Sequence, residues 1–570
     1  MRYHVLACDY DGTLAHHGRV DTDTLAALRR VRDSGRKLIL VTGRQLDDLL
    51  AVFPDVDLFD TVVAENGALL YQPAARERKM LGEPPPEQLV AALAARDVTP
   101  LSVGEVIVAT WEPHETTVME VIRELGIEWQ VVFNKGAVMV LPTGVNKATG
   151  LDVALAELGL SPHNTVAVGD AENDHAFLSR CECAVAVANA LPMLKERADF
   201  VTRGSHGAGV VELIDMLVAT DLQELDTRLE RHEIMLGSRD DGSAVRVKPY
   251  GMNLLFSGTS GSGKSTIATG FLERLAEREY QFCIIDPEGD YQEFAGAVVL
   301  GSRKRAPLVE EVCNFLQEPD QNLIVNLLAI GLENRPSFFD QLFPALLELR
   351  TRTGRPHWIV IDEAHHLLPS SWTPTTQIVP QDLSGMMLIT VHPDHVSSQL
   401  LAETDMFVAV GDAPERSIRA AAEALGEQPP AIPSVRLEAG EAVAWRRRPD
   451  NDSFWFRSIP PKTERRRHLR KYAEGELGPD KSFYFKGRDG TLNLRAQNLT
   501  LFMQIADGLD DTTWMYHLRR GDYSRWLRES IKDPELADEV ADIEAQSGIA
   551  PQESRALIRD RIEQRYTEPE

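Results

Sequence analysis

Five cysteines, Cys8, Cys181, Cys183, Cys283 and Cys313, are scattered over 570 residues. They are too few for a disulfide framework, the one close pair, Cys181 and Cys183, cannot complete a tetrahedral zinc site without distant histidines, and reduced cytosolic thiols are the better reading. No run of about 18 apolar residues occurs, so no membrane span is predicted. Positive charge is in deficit, with 60 Lys+Arg against 87 Asp+Glu and a net charge of −27. That balance gives no support to a partner bound through bulk positive charge, nucleic acid and anionic membrane included. Internal repeats and long low-complexity tracts are absent. The N-terminus runs into a chemical motif by Asp9, which leaves no room for a signal peptide, and the expectation is a cytoplasmic protein.

What is present is an ordinary globular composition, 43% hydrophobic and 26% charged, at a length that implies three or four domains. Charge divides the chain into about −14 over residues 1–225, −12 over 226–455 and −1 over 456–570. In the first region short strands alternate with amphipathic helices. Strands are predicted at 3–8, 37–41 and 165–168, and helices at 22–34, 45–52 and 149–158. This is the pattern of a doubly wound parallel sheet, whose ligands bind at the carboxyl ends of the strands. Residues from roughly 80 to 143 read instead as a small α+β insert. The Pro-rich stretch 428–433 and Pro460-Pro461 mark candidate boundaries.

Asp9-Tyr10-Asp11-Gly12-Thr13 follows the first apolar strand. A carboxylate at a strand end can attack a phosphate ester, and a second can protonate the leaving group and then activate water. Such a site needs a cation, and Mg²⁺ prefers carboxylate oxygens. Thr42-Gly43-Arg44, Lys147 and Gly169-Asp170-Ala171-Glu172-Asn173-Asp174 supply a hydroxyl, an ammonium and two further carboxylates. This set resembles the haloacid-dehalogenase (HAD) superfamily over about residues 1–220. Glu65-Asn66-Gly67-Ala68 and Val187-Ala188-Asn189-Ala190 are similar to its Cof-type, sugar-phosphate-phosphatase branch. The resemblance implies a Rossmann-like sheet with a C2-type cap at about 76–143. It also implies Asp9 as nucleophile, Asp11 as acid/base, and Thr42 and Lys147 as phosphate anchors. Mg²⁺ would be held by Asp9, Asp170, Asp174 and the Asp11 carbonyl. Within the cap, Trp111, Glu112, His114, Glu115 and Trp129 are candidates for substrate contact or for cap structure.

The strand Asn253–Ser257 leads into Gly258-Thr259-Ser260-Gly261-Ser262-Gly263-Lys264-Ser265-Thr266 and a helix. Glycines let such a loop wrap phosphates with backbone N–H groups, while Lys264 reaches the β/γ-phosphates of ATP and Ser265 ligates Mg²⁺. Trp358-Ile359-Val360-Ile361-Asp362-Glu363 adds a metal-shell aspartate and a base for water. Residues 230–445 resemble the HerA/FtsK-like ATPases (the DUF87-type group), through the P-loop, Asp286-Pro287-Glu288-Gly289-Asp290-Tyr291 and Asp362-Glu363-Ala364-His365-His366. His392 stands where that group often has Gln, and Arg335, Arg352 and Arg355 are candidate trans-acting arginines. The resemblance implies a homo-oligomeric ring.

Residues 456–570 open on the basic run 465–471 and continue with aromatics at helical spacing, which are read as core of a small helical module. The whole chain is expected to be α/β: a phosphatase domain over 1–225, a P-loop ATPase domain over 226–455 and a helical module over 456–570. The expected activity is Mg²⁺-dependent hydrolysis of a small phosphorylated metabolite, fused to ATP binding and hydrolysis. Rival readings are an ATP-driven nucleic-acid or defence machine, a bifunctional kinase/phosphatase, and a nucleotide-gated scaffold.

Overall fold

The computed structural model describes all residues except 227, 260, 373–382, 430, 433–435, 449–450, 463–476, 478–480, 488–491, 532, 547 and 567–570. The predicted contacts of Ser260 and of the basic run 465–471 therefore lie outside the described residues. The chain forms two compact units, one of Met1–Gln292 with Gly296–Ile459 and one of Pro460–Glu570 with Glu293–Ala295.

The first sheet of the larger unit has eight strands in the spatial order 200–201, 183–186, 165–169, 5–9, 37–41, 61–64, 69–72 and 77–80. Its first six are parallel, the inner five of them largely buried on both faces as their apolar runs require and the edge strand 200–201 half-buried, and the last two turn back antiparallel. Asp9 stands level with Val41, and Cys8 with Val168, so Asp9, Thr42 and Asp170 reach the same edge from three adjacent strands. The cap is a four-stranded antiparallel sheet, ordered 102–103, 108–111, 137–142 and 129–134, under helices Glu87–Ala94 and Glu115–Leu125. Glu77–Met80 pairs with Leu69–Gln72 in the main sheet, so the cap does not begin at 76. All four residues of that strand are exposed at a sheet edge, which is why they read as part of an insert.

A second sheet of eleven strands carries the P-loop strand Leu254–Gly258 between Met386–Thr390 and Met406–Val410. Met386–Thr390 separates it from Trp358–Ile361, which pairs in turn with Phe282–Asp286. The strand Asp452–Ser458 pairs along its length with Glu441–Arg446, so this sheet runs past the expected boundary at 455.

The two sheets of this unit meet through the residues that precede their strands. Glu182, before Cys183–Ala186, accepts from Arg2 at 2.8 Å, from the Tyr280 hydroxyl at 2.6 Å and from His163 at 2.9 Å. His163 also contacts the Arg278 carbonyl at 2.6 Å, and Asn164 meets His357 at 3.1 Å. The amino ends of both sheets thus meet.

The smaller unit holds a two-stranded ribbon, Phe483–Phe485 with Leu494–Ala496, and several helices, including Pro534–Glu544 and Pro551–Tyr566. Trp514, Tyr523 and Trp526 are buried in its core, as their spacing predicted. Among the described residues no helix is long and apolar enough to cross a membrane.

Candidate functional site

Asp9 ends its strand pointing into a buried cluster. Lys147, the first residue of helix Lys147–Glu157, places its ammonium 2.6 Å from Asp9 Oδ1 and 2.6 Å from Asp174 Oδ1. That helix is fixed by the Asn146–Thr149 capping box, which sets where Lys147 starts. Asp174 folds back so that its Oδ2 accepts the Asp170 and Ala171 N–H groups at 2.8 and 2.9 Å. Carboxylate oxygens of Asp9, Asp170 and Asp174 lie within 4.8 Å of one another, and all three residues are buried. Burial, and next the Asp174 charge, push the Asp9 carboxyl well above the usual range. Burial likewise raises Asp170. Burial alone would lower the Lys147 pKa, but the Asp174 and Asp9 carboxylates outweigh it and hold the ammonium above its ordinary value. Three hard oxygen donors crowded together in this way match what Mg²⁺ takes.

Asp11 sits outside this cluster and is held by Arg44, whose Nε and Nη2 donate to its two oxygens at 2.6 and 2.8 Å. Arg44 also reaches Asp48. Thr42 is buried, and its hydroxyl accepts the Arg44 N–H at 3.1 Å. Gly12 requires its glycine, because at φ +87° a Cβ would stand 2.2 Å from Asp170 Oδ2. The cap reaches the site at the turn Lys135-Gly136. Lys135 forms an ion pair with Asp170, and the Glu112 N–H donates to the Gly136 carbonyl at 2.9 Å. A Cβ on Gly43 would lie 3.5 Å from Met139 of the cap.

Of the predicted cap residues, Trp111 and Glu112 flank that turn. His114 is bonded to the Thr99 carbonyl at 3.1 Å, Glu115 begins a cap helix and Trp129 packs against the cap core. Arg44 was in view in the sequence without a role, and Lys135 was missed. A basic residue between two short strands is a weak signal, because its partner lies 35 positions away.

The P-loop site is built the same way. Gly258, Gly261 and Gly263 all take positive φ, and the helix Lys264–Glu277 starts directly after the loop, carrying Ser265 and Thr266 in its first turn. Lys264 donates to the Gly258 and Thr259 carbonyls at 2.8 and 3.0 Å. Asp362 is buried at the end of its strand, and burial followed by the Asp286 charge raises its carboxyl well above the usual range. Glu363 takes φ +46°, and its carboxyl is raised by burial and then by Glu288. His365 lies 3.4 Å from Glu363 and 3.1 Å from the Thr390 hydroxyl. His392 is exposed and stacks on His395. Asp286 accepts three backbone N–H groups from Gly289, Asp290 and Tyr291, which shapes the acidic turn beside Lys264.

Arg355 does not suit a trans-acting role. It is fully buried and donates to Gln281 Oε1 and to the Leu316, Gln317 and Gly159 carbonyls. Arg335 is buried on the Ile330 carbonyl.

Residues 6–92 and 106–214 match the family model of haloacid dehalogenase-like hydrolases. A phosphoglycolate phosphatase of Methanothermobacter thermautotrophicus is 34% identical over 218 residues, which span 37% of this chain and 96% of that protein. The chain belongs to the haloacid dehalogenase-like hydrolases. A phosphoglycolate phosphatase of Haloarcula marismortui is 33% identical over 219 residues, 37% of this chain and 95% of that protein. A solved haloacid dehalogenase-like hydrolase from Bacteroides thetaiotaomicron covers 38% of this chain and 99% of its own, at 19% identity and a TM-score of 0.34. Residues 249–386 match the model of an AAA domain. This hydrolase therefore joins a phosphatase-type domain to an AAA-type P-loop domain.

Proposed function

We propose that the first domain hydrolyses a small phosphomonoester through an aspartyl-phosphate on Asp9. The observation that carries this reading is the Lys147 ammonium, bonded at 2.6 Å to both Asp9 and Asp174 beside Asp170. Asp9 attacks phosphorus, while Lys147 and Thr42 hold the phosphoryl oxygens. Asp11, kept in place by Arg44, gives a proton to the leaving oxygen and later takes one from water. Asp9, Asp170, Asp174 and the Asp11 carbonyl would hold Mg²⁺, which would offset the phosphoryl charge. Phosphoglycolate, the substrate in the names of the two curated relatives, is the first compound to test.

In the second domain Gly258, Gly261, Gly263, Lys264, Ser265 and Thr266 would bind ATP. Asp362 would stand in the shell of its Mg²⁺, and Glu363 would activate water. Asp362-Glu363-Ala364-His365, with the acidic turn at 286–291, favours a HerA/FtsK-like ATPase that assembles as a ring. A panel of phosphomonoesters including phosphoglycolate, assayed for Mg²⁺-dependent phosphate release with and without ATP, tests both halves. Release that survives Asp9→Asn would overturn the phosphatase reading.

A further inference from the structure

The turn between the two longest cap strands is two residues long, with Asn134 paired to Ala137 across it. Lys135 occupies its first position at φ +48°, a left-handed conformation that costs a residue other than glycine about 1 kcal/mol. Such turns favour Asn, Asp or Gly at that position, so turn chemistry does not account for a lysine. Its side chain does have a partner. Nζ pairs with Asp170, which is fully buried, and lies 2.8 Å from where a Cβ on Gly12 would stand. The cap therefore delivers one ammonium directly over the turn that follows Asp9.

Two other cations at the site are each held by two carboxylates, Lys147 by Asp9 and Asp174, and Arg44 by Asp11 and Asp48. Lys135 has Asp170, one of the three carboxylates that would take Mg²⁺. A divalent cation on Asp170 would compete for that carboxylate and would free the Lys135 ammonium, whose side chain is 44% exposed. It then stands on the cap side of the phosphoryl site, where a leaving group would extend.

We propose that Lys135 is a specificity-determining residue. Released from Asp170 by the cation, its ammonium pairs with a carboxylate on the leaving group and so selects small phosphorylated acids over uncharged phosphoesters of similar size. This rests on the phosphatase reading above. The test compares phosphoglycolate with glycerol 3-phosphate, and titrates Mn²⁺ into the full chain by calorimetry. Lys135→Met should raise KM for phosphoglycolate about 10- to 100-fold, the range for loss of a charge-assisted hydrogen bond, and that for glycerol 3-phosphate less than about threefold. Lys135→Arg should restore most of the preference. Mn²⁺ should bind Lys135→Met about three- to tenfold more tightly, since its competitor is gone, while ATP affinity stays unchanged as a check on folding. Equal changes for the two substrates, or Mn²⁺ affinity unchanged or weakened, overturn the proposal and leave the phosphatase reading standing. If the wild-type chain releases phosphate from no phosphomonoester in Mg²⁺, the phosphatase reading fails and the role of Lys135 falls with it.

Discussion

Replacing Lys147 by Met tests the catalytic cluster through stability as well as rate. The lysine side chain is 1% exposed, and its partners Asp9 and Asp174 are 5% and 0% exposed. Removing one partner of such a buried pair typically costs about 3–5 kcal/mol, because the carboxylates stay behind uncompensated. At about 2–4 °C per kcal/mol for a domain of 150–250 residues, the melting temperature of the phosphatase domain should fall by about 6–20 °C. The loss should depend on pH in a definite direction. Asp9 is already raised by burial and by Asp174, with Lys147 opposing, so removing the lysine raises it further. A carboxyl raised in the folded state keeps a proton that the unfolded chain gives up. The stability it contributes is present at acid pH and is lost as pH rises. The deficit of Lys147→Met should therefore be smallest near pH 5 and grow toward pH 8. Mg²⁺ at about 100 times its dissociation constant should return about 2.7 kcal/mol, because a divalent cation stands in for the missing charge. Scanning fluorimetry of the full chain at both pH values, with and without Mg²⁺, measures all three effects. A variant that melts like the wild type in Mg²⁺-free buffer, or whose deficit is largest at pH 5, would refute this account of the cluster.

Asp9→Asn should lower phosphate release at least about 10³-fold and leave ATP binding intact, read by parallel phosphate and nucleotide-binding assays. Lys264→Ala should weaken ATP binding in a fluorescence titration, whereas Glu363→Gln should bind ATP and lose about 10² or more of its hydrolysis. Phosphoglycolate turnover should be unaffected in both. Arg355→Ala should destabilise the chain in a melting experiment, since it strips donors from four acceptors, the Gln281 and Leu316 oxygens among them buried. A trans-acting arginine would instead leave melting unchanged and lose ATPase activity alone.

Both candidate sites were legible because their chemistry is written in short segments at strand ends. Asp9 and Asp170 follow apolar runs that can only be buried strands, and parallel pairing brings such ends to one edge. The P-loop glycines and the Asp362-Glu363 pair follow the same logic on the second sheet. What escaped is what depends on long-range packing. Lys135 becomes part of the site only because the cap turn lies over Asp170, and Arg355 becomes a strut only because Gly159, Leu316 and Gln317 converge on it. A lone lysine or arginine in sequence carries no sign of either. The exposed strand 77–80 escaped for a related reason, since without a buried face it has no alternation to read.

The arrangement of the two sheets bears on how the sites communicate. Arg2, His163, Glu182, Tyr280 and His357 all precede strands, and their hydrogen bonds tie the amino ends of one sheet to those of the other. Asp9 and the P-loop both lie at carboxyl ends, away from the amino ends at which the sheets meet. The Glu182 hub that joins the strands is one route by which the two sites could be coupled. Glu182 is buried, and although burial alone would raise its carboxyl, the hydrogen bond from His163 and the Arg2 charge outweigh it and hold the group well below its usual range. The hub therefore stays ionised and bonded across the physiological range, a rigid joint between the domains. If ATP alters phosphatase turnover, Glu182→Gln should abolish that effect at saturating ATP while leaving each activity measurable alone. An ATP effect that persists in Glu182→Gln would show that the coupling takes another route.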